Sequence, residues 1–556
     1  MDEQLESSQL AIDSQIRHHA KEIIRLEAFH IARIRDLKTQ RNTFAKICRL
    51  PIEVLCSIFM QLKWALEAEH NRRYHLKWIV VSHICRHWRE AALRFPQLWS
   101  SSISTAFGHQ WIRLMCERSG GAPLSVNIDV ALSRIRRDKF ATVLGEILAK
   151  SSQFARLSVR LYDSDLQTHL PSLTAPAPLL ETLSITKMNQ SAFRVSPSLP
   201  AIPHDLFGNE TPRLKHLHLS GCYLPLNSQL FSGLTSLKVE FCDSALDRPH
   251  PLQDVLSALS RMPDLVHLHV TDIRITGSCQ QTVSLPHLEK LRLSFSALNV
   301  SQLLCRLQLP ASVKANITFR EVEPSHRHSV LEAIHTFKSR HSDPDNPIRI
   351  KSCWVRYKEN NIFFVGTTSV SHESYLCDDT DPPGSSQLQL EILQTRHRSL
   401  CATDLASALS LGHVEKLHLL GDIDPTQERS ILLAFPSTRT LNVAKLQREN
   451  LIIECLKTDP AFSTPPSVSS DCARVTYFPL LERASFACID NPSDFVDAWA
   501  LRAANGSRLK VLDLRYCRGT TTRDEGLISK LREVVDEVLV SNHHYALPWE
   551  TLPAAW

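Results

Sequence analysis

The sequence predicts an α/β protein: a helical N-terminal region, then an irregular solenoid with a curved parallel sheet and helices outside it. Three observations lead there. Apolar residues recur at helical spacing through roughly the first hundred positions. A short unit, L-x-x-L-x-L, then recurs along most of the remaining chain. Helix-like pieces such as "LQDVLSALSRM", Leu252 to Met262, lie between those units.

Composition narrows the class. The chain has 556 residues, enough for several domains, and 43% of them are hydrophobic, which is ample for a core. No apolar run approaches the roughly 20 residues of a membrane helix. The start, "MDEQLESSQL", has neither a basic n-region nor an apolar h-region, so a cytoplasmic or nuclear location is expected. The 15 cysteines are then expected as thiols, and no C-x-x-C pair suggests zinc. A net charge of +5, from 63 basic and 58 acidic residues, is too balanced to predict nucleic-acid binding. With 15 glycines and no G-x-G-x-x-G or G-x-x-x-x-G-K-[ST], no nucleotide cofactor is expected.

The first element is a helix from about Ile12 to Leu37. Ile12, Ile16, His19, Ile23, Leu26, His30, Ile34 and Leu37 form its stripe. Arg17, Lys21, Arg25, Arg33, Arg35 and Lys38 populate other faces. The first expectation is docking on the protein's own domain; the alternative is a self-pairing coiled coil.

A second helix opens at Pro51, a favourable first-turn residue, and carries Ile52, Leu55, Ile58, Phe59, Leu62 and Leu66. "EAEHNRRYH", Glu67 to His75, is a polar break. A third helix is expected over "VSHICRHWREAALRF", with Val81, Ile84, Cys85, Trp88, Ala92 and Phe95 on one side and Pro96 ending it. Cys85 reads as a buried, inert thiol. His83 and His87 sit four apart on the polar side, but no Glu follows His83, so no metal is expected there.

These residues resemble an F-box, and more narrowly the F-box-like proteins of mushroom-forming fungi. The likeness rests on Leu50-Pro51, Glu53-Val54-Leu55, Ile58-Phe59, then Val81-Ser82-x-Ile84-Cys85-Arg86-x-Trp88-Arg89 with Ala91, Ala92, Pro96, Leu98 and Trp99. It covers residues 46 to 103, and departs from the pattern at Ile52, at Ser82-His83-Ile84 before the cysteine and in the polar insert. The resemblance implies a small helical domain docking on a Skp-type adaptor of a cullin ubiquitin ligase. Leu50, Pro51, Val54, Leu55, Ile58, Phe59, Ile84, Trp88, Leu98 and Trp99 are the expected adaptor contacts. So small a helix pair is expected to leave Phe59, Ile58, Trp88 and Trp99 uncovered by its own chain.

The repeat units follow. They include "LLETLSI", "RLKHLHL", "GLTSLKV", "DLVHLHV", "HLEKLRL", "HVEKLHL" and "RLKVLDL", with "QFARLSV" and "STRTLNV" as outlying members. Successive leucine starts at 214, 234, 265 and 288 match a leucine-rich repeat of irregular length. Cys222, Cys242 and Cys517 occupy the Asn/Cys position that follows the strand in such repeats. The intervening residues face the concave side: His216, His218, Lys238, Glu240, His267, His269, Lys290, Arg292, Lys416, His418 and Arg515. Their cations predict a substrate site for an acidic or phosphorylated protein. The two H-x-H pairs lack further ligands, so no metal is expected there either.

Regularity fails between about Arg320 and Ser410. There "VLEAIHTFKSRH" reads as a helix, "IRIKSCWVRYKENNIFFVG" as a hairpin turning at Asn360-Asn361, and "CDDTDPPGSSQ" as a loop. The expected layout is an N-terminal helix over 1–45, the F-box-like domain over 46–107, the solenoid over 108–319 and 411–540, an irregular insert over 320–410, and a tail over 541–556. The expected function is a substrate receptor without catalytic residues. Its partners would be a Skp-type adaptor, the cullin ligase core and a protein target, with neither nucleic acid nor membrane among them. The alternative is a ubiquitin-independent scaffold that uses the repeats for assembly. No hydrolase motif supports an enzyme.

Overall fold

A computed structural model describes residues 2–68, 76–188, 201–223, 225–240, 249–341, 350–358, 361–368, 387–394, 400–421, 425–444, 478–487, 494–504, 506–517 and 525–540. The chain is α/β and forms two compact units. The first holds residues up to Leu161, with Ala175–Glu181 and Glu210–Arg213; the second holds the rest. The first unit therefore runs past the boundary at 107 expected from the sequence.

In the first unit, α1 (Asp2–Thr43) is a single helix of 42 residues. It is not docked on its own domain: from Leu5 to Lys38 every residue is exposed. α2 (Ile52–Ala68) follows after a 3-10 turn at Lys46–Arg49. The expected helix over 81–95 is broken in two. Lys77–His83 is a 3-10 segment, and α3 (Arg86–Leu93) starts afresh from an extended Cys85, whose Sγ accepts the Trp88 N–H at 3.5 Å. A side chain that bonds the N-terminal amide of a helix takes one of its orphan donors, so the break carries its own cap. Cys85 is thus a half-buried cap rather than a residue in mid-helix. Pro96 opens α4 (Pro96–Ser100). Three parallel strands, β1 (Ile103–Ser104), β2 (Leu124–Asp129) and β3 (Phe154–Tyr162), complete the unit with α5 (His109–Arg118) and α6 (Arg137–Leu148).

The second unit carries a long, mostly parallel sheet that is not closed into a barrel. After α7 (Asp163–His169) come β4 (Thr182–Met188), β5 (His216–Ser220) and β6 (Ser236–Glu240). Next are the short β7 (His250–Pro251), α8 (Leu252–Ser260), β8 (His267–Thr271) and the short β9 (Ile275–Thr276) and β10 (Val283–Ser284). β11 (Lys290–Ser296), α9 (Ala297–Leu304), the short β12 (Leu307–Gln308) and β13 (Lys314–Val322) continue it. β4, β5, β6, β8, β11 and β13 pair in parallel in that order. Leu183, Leu217, Leu237, Leu268 and Leu291 fall on one register line and are all buried. The repeating leucines thus fill one face of the sheet, because alternate residues of a strand share a side.

The irregular region begins with α10 (Arg327–His341), the helix expected there. β14 (Ser352–Lys358) and β15 (Asn361–Thr367) form the antiparallel hairpin. Asn361 already pairs with Lys358, so it is a strand residue and not part of the turn. β15 pairs antiparallel with β16 (Leu388–Gln394), which lies parallel to β13; β14 lies parallel to β17 (Lys416–Gly421). The hairpin is thereby woven into the sheet between its two parallel runs. α11 (Ala402–Leu409), α12 (Pro425–Ala434), β18 (Thr440–Ala444) and β19 (Arg483–Ala487) follow, then a helix at Asp494–Ala504. β20 (Leu509–Tyr516), a helix at Glu525–Val534 and β21 (Val535–Leu539) end the described chain. Cys222 and Cys517 are buried, as the turn position requires. Cys242, the 377–386 part of the expected loop and the 541–556 tail lie outside the described residues.

Candidate docking surfaces

On α2 the helical period separates two faces. Leu55, Cys56, Phe59 and Lys63 are buried, whereas Val54 and Ile58 are exposed beside Leu62 and Ala65 in a shallow groove. The inner face meets Trp78, whose ring stands edge-on to Trp99 at 5.2 Å. Phe59 packs against Trp88 at 5.2 Å. Trp99 donates its indole N–H to Ala92 O at 2.7 Å, and Arg118 lies over its ring. Leu55, Phe59, Leu98 and Trp99 are wholly buried by their own chain, so they are not contact residues for a partner. The expectation failed because it counted only two helices. The 3-10 segment with Trp78, together with α4 and α5, supplies the missing cover. Trp88 is half-buried against Phe59 and Leu50 is half-buried. Pro51, Val54, Ile58 and Ile84 stay exposed.

Apolar side chains beyond the expected adaptor contacts are exposed too. Phe44, Ile47, Ile52, Trp64 and Val80 are exposed as well as Val54, Ile58 and Ile84, each at least 39%. Cys48 and Cys85, with sulfurs 4.0 Å apart, hold the turn that carries Ile47 beside the start of α3 that follows Ile84. Burial, with the neighbouring Cys85 thiol, raises the Cys48 thiol above its ordinary value. Single exposed apolar residues are normal; this many within one small unit make a candidate interaction surface.

Lys63 is a buried cation within the same core. Its ammonium donates to Leu98 O at 2.8 Å and Ser101 Oγ at 2.7 Å, stands 3.8 Å from Glu67 and lies over the Trp78 ring. Burial lowers it from 10.5 to about 8, against an opposing pull from Glu67. The folded value lies below the unfolded one, so the unfolded state holds the extra proton between about pH 8 and 10.5. Stability must rise with pH across that window. Hydrogen exchange of α2 amides in the full chain is expected to slow on going from pH 8 to 10, after correction for intrinsic exchange. Lys63→Met is expected to flatten that response.

The sheet of the second unit presents a polar face opposite its leucines. Register places Ser184, His218, Lys238, His269, Arg292, Asn316 and Gln389 in one row across adjacent strands. Part of this row is internally satisfied. Glu240 accepts from Lys238 at 2.9 Å and pairs with His218 at 3.2 Å, and Ser184 meets the other His218 nitrogen. These contacts lower the Glu240 carboxyl against the upward push of its burial. His269 is driven down to about 4 by burial and by Arg292, so it is neutral at pH 7 and adds no positive charge. His216, Lys290 and Arg292 are exposed, and His267 is half-buried. Lys314, missed in the sequence because its strand lacks the repeat motif, pairs in register with Lys290 and is also exposed. Among the described residues no ion pair engages Lys290, Arg292 or Lys314. Three cations therefore stand together on β11 and β13.

Lys416 and His418 do not belong to this open face. Both are buried. The His418 ring stacks on Trp354 at 4.4 Å, and Asn442 donates to its Nδ1 at 3.1 Å. Burial and Lys416 hold His418 well below its usual value, so it is neutral. The cause is the hairpin, whose Trp354 lies in register with His418 and covers it. Arg515 is exposed but spends its guanidinium on the buried Asp513, at 2.7 and 2.9 Å. Among the described residues no cluster of three His, Cys, Asp or Glu could hold a metal ion, and no helix is long and apolar enough to cross a membrane. No family model matches the chain, and no curated protein is similar to it in sequence.

Proposed function

We propose that the chain is an F-box substrate receptor. Its helical unit docks on a Skp-type adaptor of a cullin-RING ubiquitin ligase, and its second unit, read as a leucine-rich-repeat solenoid, holds a protein target. Ubiquitin transfer then belongs to the partners, and the chain itself contributes no catalytic residue. The observation that carries this reading is the split of the helical unit into a closed aromatic core and an exposed apolar surface. Leu55, Phe59, Trp78 and Trp99 make the core, which leaves Val54, Ile58, Ile84 and their neighbours without an intramolecular role. An apolar surface held on rigid helices suits burial against another helical subunit. The F-box resemblance spans the same residues and supplies the partner class.

The sheet face supports an acidic or phosphorylated target. Lys290, Arg292 and Lys314 repel one another, and an anion among them relieves that repulsion through charge-assisted hydrogen bonds. Reversal of Lys290 and Arg292 to Glu is expected to weaken target capture at least tenfold and to leave adaptor binding unchanged. The check is affinity mass spectrometry of both forms with ligase activity blocked.

Affinity capture of the full chain by a purified Skp-type adaptor tests the main reading. Wild type is expected to bind, and Ile58→Asp with Ile84→Asp to fail. Absence of wild-type binding would favour a ubiquitin-independent scaffold.

A further inference from the structure

An exposed Asp36–Arg86 ion pair at 3.5 Å ties α1 to α3, and no apolar packing explains the helix. Between Leu5 and Lys38 all its side chains are exposed, including Leu5, Ile12, Ile16, Ile23, Leu26 and Leu37 at 49–60%. Helices in water draw most of their stability from an apolar face laid on something else. The six apolar residues, with His19 and His30, fall on alternating three- and four-residue steps apart from the seven-residue gaps at either end, where Gln9 and Arg33 hold the intervening steps and Ile34 lies one position off the line. That is the spacing of a two-stranded coiled-coil seam.

We infer that a second copy of this chain covers the seam, with the two α1 helices running antiparallel. Two features of the sequence select this occupant. The seam is symmetric under reversal. When each position is set against the one that brings their numbers to 42, Leu5 meets Leu37, Ile12 meets His30, Ile16 meets Leu26 and His19 meets Ile23. Each histidine then faces an isoleucine rather than another histidine. Charge gives the direction independently. The first thirteen residues carry four acids and no base, whereas Arg33, Arg35, Lys38 and Arg41 crowd the other end with Asp36 alone opposed. An antiparallel pair lays each acidic end along a basic end. A parallel pair stacks acid on acid and base on base, within the screening length of about 8–10 Å. The inference does not depend on the ligase reading.

Mass measurement of the full chain by light scattering tests it. The expected mass is twice the 62.9 kDa of one chain. Ile16→Asp with Ile23→Asp is expected to return the mass to 62.9 kDa with the near-ultraviolet circular dichroism of the aromatic core unchanged, since both side chains are exposed. A spin label placed at Glu6 by an unnatural amino acid reads the direction. Antiparallel pairing puts the two labels about 45 Å apart, from thirty residues at about 1.5 Å each. A monomeric wild type, a dimer that survives the double substitution, or labels within about 20 Å of each other, which a rise of about 1.5 Å per residue reserves for parallel helices, would each overturn it.

Discussion

Replacing Ile58 and Ile84 together by aspartate is expected to lower the affinity of the full chain for a Skp-type adaptor by at least about a hundredfold, since central contacts of an interface are worth about 2–4 kcal/mol. Titration calorimetry would read the loss. The same protein should keep its amide protection in α2 and α3, because both side chains are exposed before any partner arrives and are 39% and 55% accessible. Binding lost without stability lost separates a docking residue from a packing residue. A loss of that protection with binding intact would place these side chains in the protein's own core.

Trp99→Ala should show the opposite pattern. The indole is wholly buried, edge-on to Trp78, bonded to Ala92 O and overlaid by Arg118. Its removal leaves a cavity and takes the indole donor from Ala92 O, which keeps the Phe95 N–H at 3.4 Å. A loss of about 3–5 kcal/mol is expected from comparable aromatic truncations. Small units are stable by only about 5–15 kcal/mol in total, so much of the margin of the helical unit would go. Amide exchange in α2 and α3 is the appropriate readout, because a chain of two units does not unfold in one step. Adaptor binding should fall as well, in proportion to the unfolded fraction, and recover at lower temperature or with added adaptor.

The contrast between Ile58 and Trp99 marks where sequence reasoning ran out. Helical spacing identifies which residues share a face. It cannot tell whether that face meets the same chain or another one. Sequence alone assigns Phe59 and Trp99 to a partner, because the 3-10 segment bearing Trp78 follows a polar stretch and has no helical period to announce it. Lys63 was invisible for a related reason: a lysine at a helical core position reads as solvated until a carbonyl such as Leu98 O is found to face it. The sequence of α1 specifies a helix and leaves open both docking on its own domain and self-pairing; exposure from Leu5 to Lys38 excludes the first.

The sheet was more legible. Leucine positions alone placed Leu217, Leu237, Leu268 and Leu291 on one register line, since inward residues on parallel strands must align to close a common core. The cationic face was legible only where nothing covers it. Lys290 and Arg292 were found, but Lys416 and His418 follow the same motif and are buried, because a non-repeating hairpin brings Trp354 into register beside them. Insertions break the periodicity on which such reasoning depends.

Hydrogen exchange of the full chain with and without a purified Skp-type adaptor bears most directly on the helical docking surface. The expected result is slowed exchange confined to residues 46–66 and 78–88, with β4 to β13 unchanged. Absence of any slowing at saturating adaptor, or slowing on the sheet with the helical unit unaffected, would contradict the account.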